Sequence, residues 1–317
     1  YRYPFKIRSL QNMNSSKLKP LLSIGNKLIG FVLFIICAFA IYNKVLQNEN
    51  LNQYGADLKI QLTHIHWAAW VLMGCLMTLN YTVEAIKWKS VIAETNQFNI
   101  FQALRAVLVG QAFSFFTPAR SGDYVGRTLF LAPGTKLKGI TQMAWASYAQ
   151  LLMTICFGSI ALFWNLPFLP WLKWVAPIGA GLALFLFFYK KSFKGWLSKL
   201  NLLQIGAGLK WKLIALAFSR YLVYLMQYNW AAQMLSIPVS WLDLSIAIMA
   251  LLFFLSMIPA ISLTDLVIRG QLFLLLMAPF YHNDLMLIAL TTLIWIVNFL
   301  IPSILGAILL LGFRLKR

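Results

Sequence analysis

The chain has 317 residues, of which 61% are hydrophobic and only 11% are charged. Soluble domains carry about 25% charged residues, so this composition excludes an ordinary soluble domain. The net charge is +19, with 27 Lys and Arg. In a soluble protein such a charge would indicate nucleic-acid binding. Here the basic residues lie beside apolar runs, which favours cytoplasmic loops that face anionic lipid headgroups, and we expect no nucleic-acid partner.

Long apolar runs dominate the sequence, and they occur, in chain order, at 28–46, 67–86, 140–163, 174–189, 213–235, 242–258 and 285–313. A helix needs about 20 apolar residues to cross a bilayer. The sequence therefore predicts an all-α, polytopic membrane helix bundle in the cell (inner) membrane. The predicted parts are a basic N-terminal segment, one transmembrane domain and a basic tail, at residues 1–27, 28–313 and 314–317. Lys and Arg near both termini predict that both are cytoplasmic.

Two segments begin and end on the same side of the membrane, judged by their flanking charges. Residues 98–134 lie between basic segments, with Lys136 directly after them, so both ends are predicted to be cytoplasmic. Residues 241–280 have no Lys or Arg at their flanks, so both ends are predicted to be external. A proline interrupts each segment, at Pro118 and Pro259. We predict a broken, re-entrant helical hairpin in each, because irregular backbone at membrane depth must be buried or face a cavity.

Each hairpin lies between two spans, which predicts two repeats of inverted topology, at about 67–164 and about 213–313. Such repeats are common in transporters that bind substrate near the midplane of the bilayer. In the alternative topology each hairpin arm crosses the membrane fully, which gives ten spans. Two connecting segments are predicted to be loops: 47–66, with mixed charge, outside, and the lysine-rich 190–212 inside.

One charged motif occurs twice, once in each hairpin. The copies are Pro118-Ala-Arg-Ser-Gly-Asp-Tyr-Val-Gly-Arg127 and Pro259-Ala-Ile-Ser-Leu-Thr-Asp-Leu-Val-Ile-Arg269. In each copy an aspartate precedes an arginine by four residues, which places both on one helix face. Charge at membrane depth is costly and usually faces a bundle interior or a water-filled cavity. The predicted substrate site consists of Pro118, Arg120, Ser121, Gly122, Asp123, Arg127, Pro259, Thr264, Asp265 and Arg269.

The first copy has the chemistry of an anion site. Pro118 ends the incoming helix, and Gly122 permits tight backbone geometry. Asp123 is expected to cap the outgoing helix, whose positive dipole end favours an anion. Arg120 adds a planar fork that binds phosphate in a bidentate manner, so a phospholipid headgroup fits this chemistry.

The second copy keeps the proline and the Asp265–Arg269 pair, lacks a counterpart of Arg120, and offers Ser262 and Thr264 as candidate caps. An alternative interpretation is that the Asp–Arg pairs only tie the hairpins together, since a buried ion pair is self-consistent without a ligand. Secondary site candidates are Glu84, Arg220, Tyr224 and Gln227. The first two are more readily explained by snorkelling to the interface. The other two either line a headgroup path or make hydrogen bonds between helices.

Motifs for catalysis are scarce. The sequence contains no His-Glu-x-x-His, no nucleophile elbow and no phosphate-binding loop. We therefore expect no enzymatic activity of this chain alone, no cofactor and no metal site.

The first motif resembles the hallmark of the lysylphosphatidylglycerol synthase transmembrane (flippase-like) family, in which Thr-Pro, a glycine and an acidic residue precede an arginine. The stretch from Pro259 to Gly270 is similar to the family's second motif, with Ser262, Leu263 and Thr264 in place of its usual glycines. The resemblance extends roughly over 28–313. It implies a membrane domain that moves a modified phospholipid between leaflets. The soluble aminoacyltransferase domain of the bifunctional members is not expected here.

The lead hypothesis is thus an integral inner-membrane, flippase-like transporter that moves or binds an anionic or modified phospholipid or glycolipid. One alternative is a non-catalytic membrane partner of a lipid- or glycan-modifying enzyme. Another is a proton-coupled solute transporter in which Asp123 and Asp265 carry protons. The sequence leaves open whether the chain has an enzyme partner or forms a homo-oligomer.

Overall fold

The computed structural model describes residues 39, 51–132, 134–165, 171–189 and 205–311. These parts of the chain are helical and contain no strand, which confirms an all-α bundle. Three of the predicted segments lie outside the described residues: the basic N-terminal segment 1–27, the first span 28–46 apart from Phe39, and the basic tail 314–317.

From residue 67 onward the helices follow the predicted apolar runs and hairpin segments. Those before the lysine-rich segment are α1 (Leu51–His64), α2 (Trp67–Ile92), α3 (Ile100–Phe115), a 3-10 turn (Pro118–Arg120), α4 (Gly122–Thr128), α5 (Lys136–Asn165) and α6 (Leu172–Phe188). Those after it are α7 (Ala207–Met234), α8 (Trp241–Met257), α9 (Ser262–Met277), α10 (Asp284–Trp295), a π-helical turn (Ile296–Leu300) and α11 (Ile301–Leu311).

Three helices in the described parts are long and apolar enough to cross a membrane: Trp67–Ile92, Lys136–Phe163 and Asp284–Leu311. The helix Asp284–Leu311 consists of α10 and α11, which are continuous through the π-helical turn. Large apolar side chains also cover the outer face of α6, where Trp174 and Ile178 are 70% and 71% exposed. An apolar face of this extent requires lipid or a partner against it. Length, composition and exposed apolar surface all fit a membrane protein.

The two predicted hairpins are pairs of shorter helices. The arms α3, α8 and α9 have 16, 17 and 16 residues, which corresponds to about 25 Å at a rise of about 1.5 Å per residue. The fourth arm, α4, has only 7 residues, or about 10 Å. Each arm is shorter than the roughly 20 residues that span a bilayer.

The segment 47–66 was predicted to be a loop, and this is wrong, because it contains α1. The prediction relied on the lack of an apolar run, whereas α1 is a polar helix that packs on α10 and next to α7. Ser236 Oγ, just after α7, donates to Gln61 Oε1 of α1 at 2.9 Å. A polar surface helix carries no strong periodic signal of its own.

Two lysines that were assigned to the cytoplasmic interface lie inside the bundle. Lys87 is only 2% exposed, because α2 continues beyond it to Ile92. Lys210 is 6% exposed, its Nζ donates to the Phe187 carbonyl at 2.6 Å, and it lies over the Trp145 ring. Charge counting therefore assigned two buried cations to the membrane surface. The remainder of the predicted loop up to residue 204 lies outside the described residues.

Glycines allow the first hairpin to close tightly. A side chain on Gly126 would lie 2.7 Å from the Gly110 Cα, and one on Gly110 would overlap the Asp123 carboxylate. Small residues at such positions let membrane helices approach backbone to backbone. On the other side of α3, Gly306 of α11 contacts the Leu108 backbone in the same way. The helix α3, which leads into the first motif, is thus fixed between α4 and α11.

Candidate functional site

The two helix breaks meet at their tips. α3 ends at Phe115 and α8 at Met257, a few residues before Pro118 and Pro259 respectively. The backbone N–H of Ala119 donates to the carbonyl of Ala260 at 3.2 Å. The two copies of the motif are therefore in direct contact at their tips, although 141 residues separate the two prolines in the sequence.

The first break is a strained turn that directs Arg120. Ala119 and Arg120 both have left-handed backbone, with φ of 50° and 55°. Such conformations cost of order 1–3 kcal/mol for residues other than glycine and persist only when the surroundings enforce them. Here the Thr117 hydroxyl accepts from the Gly122 N–H at 2.7 Å, and the Ser121 hydroxyl donates to the Pro118 carbonyl at 3.1 Å. These bonds hold the turn in the shape that presents the arginine.

The predicted helix caps are not formed. α4 begins at Gly122, so Asp123 lies in its first turn instead of before it, and its carboxylate binds Arg127. In the second hairpin the cap position is Ile261, whose apolar side chain cannot accept a hydrogen bond. Ser262 and Thr264 lie inside α9. The cap predictions were wrong because each helix starts before the polar residue expected to cap it.

A cavity of about 570 Å³ lies where the breaks meet. Ligand pockets are roughly 300–1,000 Å³ in size, so it is large enough for a small molecule or a headgroup. Of the predicted site residues and secondary candidates, the cavity is lined by Arg120, Pro259, Asp265, Arg269, Arg220 and Tyr224. The lining includes three arginines and one carboxylate, which makes the cavity strongly positive.

Arg269 is held rigidly in the cavity wall. It is 3% exposed, and its Nη2 donates to Asp265 Oδ2 at 2.9 Å. Its Nη1 donates to the hydroxyls of Tyr224 and Tyr228, at 3.2 and 3.1 Å. Four hydrogen bonds in total, with a second one to the carboxylate from Nε, fix the plane of the guanidinium. A guanidinium fixed in this way can bind an anion without losing side-chain freedom.

Arg120 has a different environment. Its guanidinium stacks over the Phe299 ring, with 4.0 Å from Cζ to the ring centroid. Among the residues that the structure describes, none accepts a hydrogen bond from this guanidinium or forms an ion pair with it. Arg269 lies 5.4 Å from the centroid of the same ring. Phe299 therefore places two arginines at one end of the cavity, through cation–π contacts.

Beside the cavity lies a buried ion cluster centred on Glu84. Its carboxylate accepts from Lys87 at 2.6 Å, Arg127 at 2.8 Å and Arg220 at 2.7 Å. Glu84 is 5% exposed, so it does not snorkel to the interface as the sequence suggested. Arg127 also binds Asp123 at 2.7 Å. One carboxylate thus joins α2, α4 and α7.

Arg220 connects this cluster to the cavity. Its Nη1 binds Glu84, while its Nε donates to Asn80 Oδ1 at 2.7 Å. The Asn80 amide donates to Asn298 Oδ1 at 3.1 Å, and the Tyr81 hydroxyl donates to the Asn298 carbonyl at 2.7 Å. Asn298 and Phe299 belong to the π-helical turn. Such turns are frequent at functional sites because they redirect side chains within a helix.

The cavity residues that the sequence interpretation missed include Asn80, Tyr81, Gln111, Asn298 and Phe299. A signal was available for the two asparagines, since each lies within an apolar span, where polar side chains usually bond across helices. Phe299 carries no such signal in a chain with 24 phenylalanines.

Several predicted site residues do not line the cavity. They are Pro118, Ser121, Gly122, Asp123, Arg127 and Thr264 of the two motifs, together with Glu84 and Gln227 of the secondary candidates. Asp123, Arg127 and Glu84 share the ion cluster. Pro118 and Ser121 are exposed, whereas Thr264 and Gln227 are buried.

Comparisons with family models, curated proteins and solved structures find no match for this chain. The resemblance of the first motif to the flippase-like family therefore stays a prediction. Within the described residues, no three His, Cys, Asp or Glu side chains are grouped so that they could hold a metal ion.

Proposed function

We propose that this chain is a flippase-like membrane protein that binds an anionic or modified phospholipid or glycolipid and moves it between leaflets. The observation that carries the proposal is the cavity between the two helix breaks, where Arg120, Arg220 and Arg269 face one carboxylate, Asp265, among the described lining residues. A positive cavity between membrane helices suits an anionic headgroup. The apolar outer surface suits the acyl chains of the same lipid.

We further propose that the bundle consists of two repeats of inverted topology, at about 67–164 and 213–313, each with a re-entrant hairpin. The order long helix, hairpin, long helix occurs twice in the structure, as α2 to α5 and as α7 to α11. The short arms and the contact between the tips support hairpins that enter from opposite sides. Transporters with such repeats bind their substrates where the broken helices meet.

Membership of the lysylphosphatidylglycerol synthase transmembrane family, a location in the inner membrane and cytoplasmic termini belong to the same proposal. They are supported by the motif at 117–127 and by the basic flanks of the spans.

Exchange of labelled lipids in liposomes tests the proposed function. Purified protein should accelerate exchange of an anionic lipid between leaflets, and Arg120→Ala should slow this exchange at least about tenfold. The reason is that a hydrogen bond to a charged group contributes about 1.5–3 kcal/mol. Arg120 has no ion pair in the described parts of the chain, so its loss should leave the folded protein intact.

Lys138→Ala is the matched control, since it also removes one cation, from an exposed pair with Glu94 far from the cavity. It should leave the exchange rate unchanged. If wild-type protein exchanges no anionic lipid or glycolipid faster than the Arg120→Ala variant, the proposed function is wrong.

A further inference from the structure

We infer that the cavity selects a phosphate group with two negative charges, as in a phosphomonoester or a diphosphate, over the single charge of a phosphodiester. The inference rests on the proposed function, because it names the headgroup that the same cavity would bind. It depends on the charge balance of the site and on hydrogen-bond donors that have no partner among the residues that the structure describes.

The charge balance leaves two positive charges uncompensated. Among the described residues, the cavity and the adjoining cluster contain five cations, Lys87, Arg120, Arg127, Arg220 and Arg269, and three carboxylates, Glu84, Asp123 and Asp265. Lys87, Arg127 and Arg269 are buried, whereas Arg120 is exposed and the Arg220 side chain is 25% exposed, so an anion in the cavity can reach these last two cations. A phosphomonoester carries about −1.5 to −2 near pH 7, because its second pKa is about 6. It therefore compensates the excess, whereas a phosphodiester compensates half of it.

Two residues that line the cavity carry buried donors without partners among the described residues. Tyr221 lines the cavity and is only 2% exposed, and its buried hydroxyl has no hydrogen-bond partner among the described residues. The Gln111 amide nitrogen, also on the lining, is buried and equally without an acceptor in the described structure. The great majority of buried polar groups in proteins are hydrogen-bonded. With the Arg120 guanidinium, the cavity offers three kinds of donor that a ligand would satisfy.

Aromatic contacts hold these donors in place. The Tyr221 ring stacks on Phe157 with centroids 4.7 Å apart, and Arg120 stacks on Phe299. A phosphomonoester presents three strong acceptor oxygens, and a phosphodiester has fewer unsubstituted oxygens. The number of donors and the excess charge therefore favour the same ligand, and both features are built into the wall before any ligand binds.

Binding of phosphatidic acid and of phosphatidylglycerol to the purified full chain tests the inference. The two lipids are used with identical acyl chains, in nanodiscs of phosphatidylcholine, and their affinities are measured by native mass spectrometry. Phosphatidic acid should bind about tenfold or more tightly, which corresponds to one additional charge-assisted hydrogen bond. Equal or weaker binding of phosphatidic acid would overturn the inference.

Tyr221→Phe separates binding from folding, because it removes only a hydroxyl. An unsatisfied buried hydroxyl is unfavourable, so the variant should be as stable as wild type or more stable without lipid. Its affinity for phosphatidic acid should nevertheless fall about tenfold. Tyr148→Phe is the matched control: its hydroxyl donates to the Ala183 carbonyl away from the cavity. Unchanged phosphatidic acid affinity in the Tyr221→Phe variant contradicts the inference.

Soluble probes distinguish a lipid headgroup from a free anion. Competition of phosphatidic acid binding by inorganic phosphate or diphosphate, weakened by Arg120→Ala, would support the same dianion chemistry with a soluble ligand. If neither inorganic phosphate nor diphosphate competes with phosphatidic acid, the result would support a lipid ligand. Failure of the proposed function is a separate result: tight phosphatidic acid binding without leaflet exchange overturns transport, whereas exchange with no preference for phosphatidic acid overturns only this inference.

Discussion

The two hairpins carry the same aspartate–arginine spacing but direct it to different places. In the second hairpin the Asp265–Arg269 pair lines the cavity, whereas in the first the Asp123–Arg127 pair turns away from it and joins Glu84. The first hairpin instead reaches the cavity with Arg120, from the strained turn before α4.

Helix register explains the difference. Asp123 is the second residue of α4, and Asp265 is the fourth residue of α9. Each residue rotates a side chain by about 100° around the helix axis, so the two pairs differ by about 200° relative to the starts of their helices. The four-residue spacing therefore allows the aspartate and the arginine to pair. The residue at which the helix starts decides whether the pair faces the cavity or the ion cluster.

The largest expected effect comes from the anchor of the first pair. Glu84→Gln would leave Lys87, Arg127 and Arg220 without their shared carboxylate in a buried site. Removing one partner of a buried ion pair typically costs about 3–5 kcal/mol. We therefore expect a large drop in the thermal unfolding temperature in detergent, or loss of folded protein on purification.

Glu94→Gln provides the control for this prediction. Glu94 pairs with Lys138 at 2.9 Å, but the two side chains are 73% and 46% exposed. Exposed pairs contribute about 0–1 kcal/mol, so the control should unfold close to the wild-type temperature. Equal shifts for the two variants would show that the Glu84 cluster is not an anchor.

A smaller effect should separate the two aspartates by function. Asp265→Asn removes the only carboxylate among the described cavity-lining residues and leaves Arg269 free to bind an anion. It should tighten binding of an anionic lipid about tenfold, since close charges interact by a few kcal/mol at most in such sites. Asp123→Asn should leave the affinity within about twofold and lower stability by about 1–3 kcal/mol, as it weakens the hold on Arg127.

Native mass spectrometry measures the lipid affinity of the two variants. Thermal unfolding of the same preparations measures their stability. The two variants are matched, since each replaces an aspartate four residues before an arginine by its isosteric amide. If both change the lipid affinity by the same factor, the proposed division between a cavity pair and an anchor pair is wrong.

Much of the fold was predictable because apolar runs report helices directly. The helices from 67 onward agree with the predicted runs, and both breaks were located from Pro118 and Pro259. The polar helix α1 and the burial of Lys87 and Lys210 were not predicted. The sequence alone does not distinguish a buried charge whose partner is distant in the sequence from a charge at the membrane surface.

The site was predictable in part for the same reason. The contact between the two motifs followed from their repetition, and Arg120, Asp265 and Arg269 do line one cavity. The ion cluster was not anticipated, because Glu84, Arg127 and Arg220 come from three helices whose relative rotation no local pattern specifies. Phe299 depends on the π-helical turn, which shifts its direction without any mark in the sequence.

The smallest expected effect comes from glycine substitutions at the two helix breaks. Ala119 has φ of 50°, whereas its hydrogen-bond partner Ala260 is not among the residues with positive φ. Ala119→Gly should therefore stabilise the protein by about 0.5–1 kcal/mol, because relief of left-handed strain exceeds the entropy cost of glycine. Ala260→Gly should destabilise it by about 0.4–1 kcal/mol, because only the entropy cost remains. Thermal unfolding of both variants measures these opposite signs. A destabilising Ala119→Gly would mean that the first turn is not strained, and that Arg120 owes its position to the Phe299 contact alone.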